Sequence, residues 1–372
     1  MSINVREVKT KSDLKAFIHL PEIIHRNHTV WIPPIYQDEW NYFNPKRNKS
    51  FRYSDTMLAL AFEDKKPVGR IFGLINTRFN EQENSSDARF EFMECYNDAE
   101  VAHELLGFIE NWAKQKGMTK LVGPMGFSDK DPQGFLIEGF DKQAIIATNC
   151  NYEYMINLVE SYGFTKKVDL LDYIIGIPDE TAPVYRRIFE RAEKSSGLTI
   201  HEFKSQKQLK TLIKPIFELI NSSYRNIYGF VPLDTEEIDE FAKRYLPIVD
   251  PQFVKVLAFN EKMVAFVIAL PCMSDGIKKS RGRLFPFGIF HILRSAKKTH
   301  KLDLMLGAVD EEFRNRGADV LMGMKIFESC RKRKITQIES HLVLETNTKM
   351  LAELTKAGGQ VMKRFRIYQK ML

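Results

Sequence analysis

The chain has 372 residues, 44% of them hydrophobic, a formal charge of +7 and four cysteines. That length suits two domains, or at most three, and that apolar content excludes wholesale disorder, while no stretch approaches the roughly 20 apolar residues that span a bilayer. Residues 1–178 hold 21 Lys+Arg against 25 Asp+Glu and residues 179–372 hold 34 against 23, so a −4 half precedes a +11 half.

In chain order, NVREV reads as a strand and SDLKAFIHLPEII as a helix. MLALAFEDKKPVGRIFGLI reads as a hairpin turning at Glu63–Lys66. ARFEFMEC is a strand, DAEVAHELLGFIENWAKQKG a helix, KLVGP a strand, YEYMINLVESYGF a helix and LLDYIIGI a strand. The boundary signal is IIGIPDETAP, where a strand-like run ends at Pro178 and Pro183 opens a helical pattern. It divides the chain into 1–178 and 179–372.

The second half continues with the strand LTIHEF and a helix over 206–223 carrying an irregularity at Pro215. A helix capped by Asp234 follows, then the hairpin of VKVLAFN and KMVAFVIAL. LDLMLGAV is a strand, residues 314–334 a helix, ITQIESHLVLE a strand, NTKMLAELTKAGG a helix and VMKRFRIYQKML a strand. The order β-α-α-β-β-β-α-β-α-β repeats that of the first half more fully, so two copies of one α/β unit account for the length.

The sharpest local feature is AVDEEFRNRGADVLM, 308–322: a strand end, a loop with Gly317, then a helix. Such a turn aims backbone N–H groups and a positive helix end at an anion, and Arg314 and Arg316 add charge. With the element order, this loop resembles the GNAT acyltransferase superfamily, whose Arg/Gln-x-x-Gly-x-Gly/Ala motif holds the pyrophosphate of coenzyme A. Arg314, Gly317 and Ala318 fit its first, fourth and fifth positions, and Asp319 departs at the sixth. Asn347 matches a family Asn before the last helix, while Leu354 stands where a thiolate-protonating Tyr is usual. Several segments, among them WIPPIYQDEW, KPVGRIFGLIN and GRLFPFGIFHILR, resemble a bacterial family of two-lobed GNAT-like proteins over nearly the whole chain.

The resemblance implies a mixed α/β fold of two tandem GNAT-like acyl-CoA N-acyltransferase lobes. It implies acetyl-CoA or another acyl-CoA as co-substrate, no metal, and a small-molecule or peptide amine as acceptor. Val309, Arg314, Asn315, Arg316, Gly317, Ala318 and Asn347 are then the coenzyme A candidates in the second lobe. His341 and Glu345, two apart in alternation on one strand, are the candidate bases. The first lobe places Glu94, Asp98 and Glu100 where a pyrophosphate would lie and reads as a degenerate copy.

GPMGFSDKDPQGFLIEGF, 123–140, reads either as an acceptor loop offering Asp129, Asp131 or Glu138, or as a structural crossover. Between Gly276 and Leu302 stand eight Lys/Arg and no acid around the apolar run 284–293. The expectation is that this run packs into the fold while the cations solvate its ends; a peripheral membrane contact through 278–301 is the less favoured reading, and nucleic acid is disfavoured. The four widely spaced cysteines, without a CxxC pair, and a first segment without an apolar block read as a cytoplasmic protein with free thiols. Leu354 and Asp319 keep open a non-catalytic ligand-sensing or partner-binding scaffold. Paired lobes keep open an aminoacyl-tRNA-dependent transferase.

Overall fold

The computed structural model describes residues 2–180, 183–314 and 316–372. The first half contains β1 (Ile3–Glu7), α1 (Lys11–Ile24), α2 (Tyr36–Tyr42), β2 (Ser54–Glu63), β3 (Lys66–Asn76), α3 (Thr77–Glu83), β4 (Asp87–Cys95) and α4 (Ala99–Gln115). It continues with β5 (Lys120–Gly123), β6 (Phe135–Glu138), α5 (Tyr154–Ser161) and β7 (Thr165–Gly176). The second half contains α6 (Pro183–Ser195), β8 (Thr199–Glu202), α7 (Gln206–Lys210), α8 (Ile213–Ser223), α9 (Thr235–Tyr245), β9 (Val254–Phe259), β10 (Lys262–Pro271), α10 (Ser274–Ser280) and α11 (Gly288–Lys298). β11 (Lys301–Val309), α12 (Ala318–Lys332), β12 (Gln337–Ser340), β13 (Val343–Leu344), α13 (Thr348–Lys356) and β14 (Gln360–Met371) complete it.

Local chemistry explains most boundaries. Thr10 and Asp13 form a capping box on α1, and Asp234 and Glu237 one on α9, each satisfying orphan N–H groups of the first turn. The single helix expected over 206–223 is two, α7 and α8. Pro215 falls in the first turn of α8, where its missing N–H has no intrahelical acceptor to serve. The strand expected over 335–345 breaks after Ser340, and its remainder, β13, pairs with β7. His341 and Glu345 therefore do not share one continuous strand.

The strands form one mixed sheet in the order β1-β2-β3-β4-β5-β14-β7-β12-β11-β10-β9-β8. Each half's last strand is hydrogen-bonded into the other half's sheet. β14 lies antiparallel to β5, with Tyr368 opposite Gly123, and β7 antiparallel to β12, with Gln337 opposite Gly176. β7 and β14 also pair with each other from Gln360–Ile174 to Gln369–Thr165. The cores follow the exchange: Tyr368 of β14 is buried with Phe90, Leu105 and Ile109, while Leu171, Tyr173 and Ile175 of β7 are buried with Leu302, Ile326 and Ile338.

The seam carries buried charge. Lys363 of β14 donates to Asp172 of β7 at 2.7 Å and to Glu339 of β12. Burial pushes the Asp172 carboxyl up to about 8, with Lys363 opposing and Glu339 adding to the rise. Asp303 of β11 is pushed up to about 7 by burial and by Glu339. Both acids keep their protons in the folded chain at pH values where the unfolded chain has released them. The folded state then binds more protons, so stability falls as pH rises from about 4 to about 8. Urea denaturation across that window is expected to show the fall, and Asp172→Asn to flatten part of it. Lys363→Met strands the Glu339 carboxylate and is expected to destabilise by about 3–5 kcal/mol at neutral pH. A pH-independent stability, or a Lys363→Met loss below about 1 kcal/mol, contradicts this account of the seam.

Candidate functional site

Parallel strands β4 and β5 pair only over Asp87–Arg89 and Lys120–Val122. Beyond that point β4 runs on to Cys95 with a bulge at Phe92 (φ 53°), and the chain leaves β5 at Pro124. The split opens a cavity of about 160 Å³. Trp31, Pro34, Phe135, Ile146 and Cys150 of the first half line it, with Ile277 from α10 of the second. The apolar wall is interrupted by Glu39, Arg70, Glu91 and Glu94. Three buried atoms among these, Glu39 Oε2, Arg70 Nε and Glu91 Oε2, have no hydrogen-bond partner in the protein. Buried polar atoms are almost always paired, so three orphans around one cavity mark a place built for a polar group.

Their electrostatics differ. Burial holds the Glu91 carboxyl well above the usual carboxylate range, and its hydrogen bond from Asn149 at 3.3 Å does not offset this. Burial thus favours the protonated form of Glu91, in which it can donate a hydrogen bond. Burial also raises Glu39, against the Arg70 guanidinium 3.8 Å away. Glu94 behaves oppositely: burial raises it, but the attraction and hydrogen bond of His25 outweigh that and hold it below its ordinary value. Glu94 accepts from His25 Nε2 at 2.9 Å, and His25 Nδ1 lies 2.9 Å from His28 Nδ1. One proton must lie between those two nitrogens, so Glu94, His25 and His28 form a three-membered relay. The Trp31 and Tyr152 rings lie nearly parallel to the His25 ring, at 5.0 and 5.1 Å.

The residues expected to hold coenzyme A lie in the second half. Val309 ends β11 opposite Ala265, and its carbonyl accepts from Arg314 Nε at 3.4 Å. Arg314 also reaches Glu311, and Arg316 lies over the Phe313 ring. Asn315 lies outside the described residues. Gly317 caps α12 at φ 81°, and a Cβ there would stand 2.8 Å from Ala192 of α6, so close helix packing already requires this glycine. Ala318 is buried in the first turn. Burial chiefly, with the neighbouring Glu353, raises the Asp319 carboxyl beside the helix start. A pyrophosphate fits this end of α12 poorly. In the first half, Asp98 caps α4 by accepting from Glu100 N and Val101 N, with the same effect.

Asn347 caps α13 through Met350 N, and Leu354 is core. Glu345 accepts from Lys166 at 2.8 Å and from Asp169 N at 3.0 Å, which commits both oxygens to the seam. Burial depresses the His341 imidazole, and its Nε2 has no protein partner. In the 123–140 loop, Asp131 accepts from Phe127 N and the Tyr42 hydroxyl, Asp129 pairs with Lys130 and Glu138 with Arg364. All three carboxylates serve loop and seam geometry. The four cysteines are buried and unpaired. Among the described residues no helix is long and apolar enough to cross a membrane and no group of ligating side chains could hold a metal.

No protein-family model matches the chain. It is 27% identical over 380 residues to protein YghO of Escherichia coli, covering 99% of this chain and 95% of that one. It is 26% identical over 381 residues to the bacterial ceramide synthase of Caulobacter vibrioides, covering 100% and 98%. Among solved structures it superimposes on a tandem GNAT protein from the clavulanic acid biosynthesis pathway with a TM-score of 0.57. That match has 9% identity and covers 100% of this chain and 98% of the other. The chain has the tandem GNAT fold.

Within this tandem GNAT chain the polar cavity belongs to the first lobe. His25, His28, Glu39, Arg70 and Glu91 did not stand out in sequence, although signals were present. Arg70 interrupts the apolar interior of its strand, and HRNH (25–28) sets two histidines three apart at a helix end. Burial chiefly, with the nearby His25, lowers the His28 imidazole to about 4. Imidazole nitrogen NMR is expected to show His28 neutral at pH 6 and titrating near 4. Titration near the ordinary 6.5 would contradict the stack of rings around it.

Proposed function

We propose that the chain is an acyl-thioester-dependent N-acyltransferase whose chemistry takes place in the β4/β5 cavity of the first lobe. The observation that carries this reading is the trio of buried polar atoms without a hydrogen-bond partner, set in an apolar wall where the central strands β4 and β5 part. The apolar wall suits a fatty acyl chain. The acceptor is a long-chain amino alcohol, because one full-length relative is named a ceramide synthase and a ceramide is an N-acylated amino alcohol. The donor is acyl-CoA in the form the fold implies.

The chemistry asks little of the protein, since a thioester is already activated and positioning supplies much of the rate. The amine nitrogen attacks the thioester carbonyl carbon, the C–N bond forms and the C–S bond breaks. The neutral Glu91 carboxyl donates to the carbonyl oxygen as negative charge gathers there. The proton leaving nitrogen is taken by the Glu94–His25–His28 relay, and the departing thiolate is protonated from solvent or the relay. A weak base suffices, because nitrogen in the tetrahedral adduct is strongly acidic. No step is routed through a pyrophosphate site.

Turnover of long-chain acyl-CoA with a long-chain amino alcohol is the direct test. Glu94→Gln and His25→Ala are each expected to lower kcat by about 100-fold or more. Both should keep the rise in Tm that acyl-CoA produces by binding the native state. Arg314→Glu with Arg316→Glu is expected to change turnover by less than about threefold, and a loss on the order of 100-fold would move the donor to the second lobe. Absence of both turnover and a Tm shift would overturn the reading.

A further inference from the structure

Five of the nine large apolar side chains that stand exposed among the described residues fall between 285 and 293. Phe285 is 88% exposed, Phe287 68% and Phe290 65%, with Ile289 and Leu293 beside them. This corrects the expectation that the run packs into the fold. Only its inner side does: Gly288 and Ile292 are buried, and α10 and α11 pack on each other. The hairpin is also anchored to the first lobe. Gly282 O accepts from Tyr36 N at 3.1 Å, Arg283 pairs with Glu22 at 2.8 Å, and Ser274 donates to Ala144 O. The rings are therefore held outward by a packed support.

From Gly276 to Leu302 the charge has one sign, and Asp275 just before it accepts from Gln143 of the first lobe. Of the eight Lys/Arg between Gly276 and Leu302, Arg283 and Lys301 form ion pairs and Lys278 donates to Thr29 O. Lys279, Arg281, Arg294, Lys297 and Lys298 are exposed, and no ion pair is recorded for them among the described residues. On α11, Phe290, Arg294 and Lys298 follow at four-residue spacing, and Phe290, Leu293 and Lys297 at three and four. Rings and cations thus share one side of the helix.

We infer that the α10–α11 hairpin docks the protein on the surface of an anionic lipid bilayer. The phenylalanine rings enter the boundary between headgroups and acyl chains, and the cations meet lipid phosphates. Charge complementarity selects this occupant over a second copy of the chain. A two-fold pairing through the hairpin would set its five free cations against the same five. The location adds weight on the acyl-transfer reading: Ile277 of the same hairpin walls the first-lobe cavity, so a lipid chain leaving the bilayer meets that wall first.

Co-sedimentation of the full chain with vesicles of phosphatidylglycerol and phosphatidylcholine tests this without any substrate, so it stands or falls apart from the acyl-transfer reading. The chain is expected to pellet with these vesicles, less with phosphatidylcholine alone, and less as salt is raised. Each basic residue near such a surface is worth about fivefold in partitioning, so Arg294→Glu, Lys297→Glu and Lys298→Glu together should weaken binding at least about tenfold. Phe285→Ser, Phe287→Ser and Phe290→Ser together should do the same. Both triple variants alter exposed side chains, and an unchanged far-UV circular dichroism spectrum and Tm would establish their folding. A chain left in the supernatant at low salt, a ring variant that binds like the wild type, or a dimer abolished by the ring substitutions would overturn the inference.

Discussion

The exchange of final strands is the constraint on which the rest of the structure depends. Without β14 the first sheet would end at β5, and without β7 the second would end at β12. An unpaired central edge is a row of unsatisfied backbone groups, so each half needs the other to close it. Lys363 sits where the two exchanged strands meet and answers one carboxyl group from each half, Asp172 and Glu339. A one-residue slip of β14 would turn Lys363 out of the seam and Ile367 out of the core. The buried charge thus sets register as well as stability.

Exchange also explains how one cavity draws on both halves. The hairpin inserted between β10 and β11 belongs to the second lobe in sequence, yet Ile277 and Gly282 pack on the first. In return, Arg78 and Phe79 at the start of α3 reach Glu237 and Tyr228 of the second lobe. The two inserts are related by the repeat, but only one of them carries exposed rings and cations. Both lobes hold buried ionisable atoms without a hydrogen-bond partner near the strand split, but the groups differ: Glu39, Arg70 and Glu91 in the first, Asp303 and His341 in the second. Two copies of one fold have therefore diverged in surface and in buried chemistry while keeping the same frame.

Much of that frame was legible in sequence because it is written in local patterns. The hairpin turn before Lys66, the Asp234 cap and the glycine opening α12 follow from turn and cap chemistry over a few residues. The exchange was not legible, since β7 and β14 read as apolar strands whichever sheet accepts them. The break after Ser340 was hidden in the same way, for ITQIESHLVLE alternates without interruption while the backbone leaves β11 and continues beside β7 alone. The cavity was hidden because His25, Glu39, Arg70, Glu91 and Glu94 come from four elements and acquire meaning only when assembled. Sequence drew attention to the Gly317 loop, where geometry assigns the glycine to packing against Ala192.

The central claim is that the acyl group is transferred in the first lobe. A photoreactive fatty acyl-CoA, crosslinked to the intact chain and mapped by mass spectrometry, addresses it most directly. The account predicts adducts on the walls of the β4/β5 cavity, within residues 31–35 and 145–150. Adducts confined to residues 303–309 and 317–321 of the second lobe would contradict it.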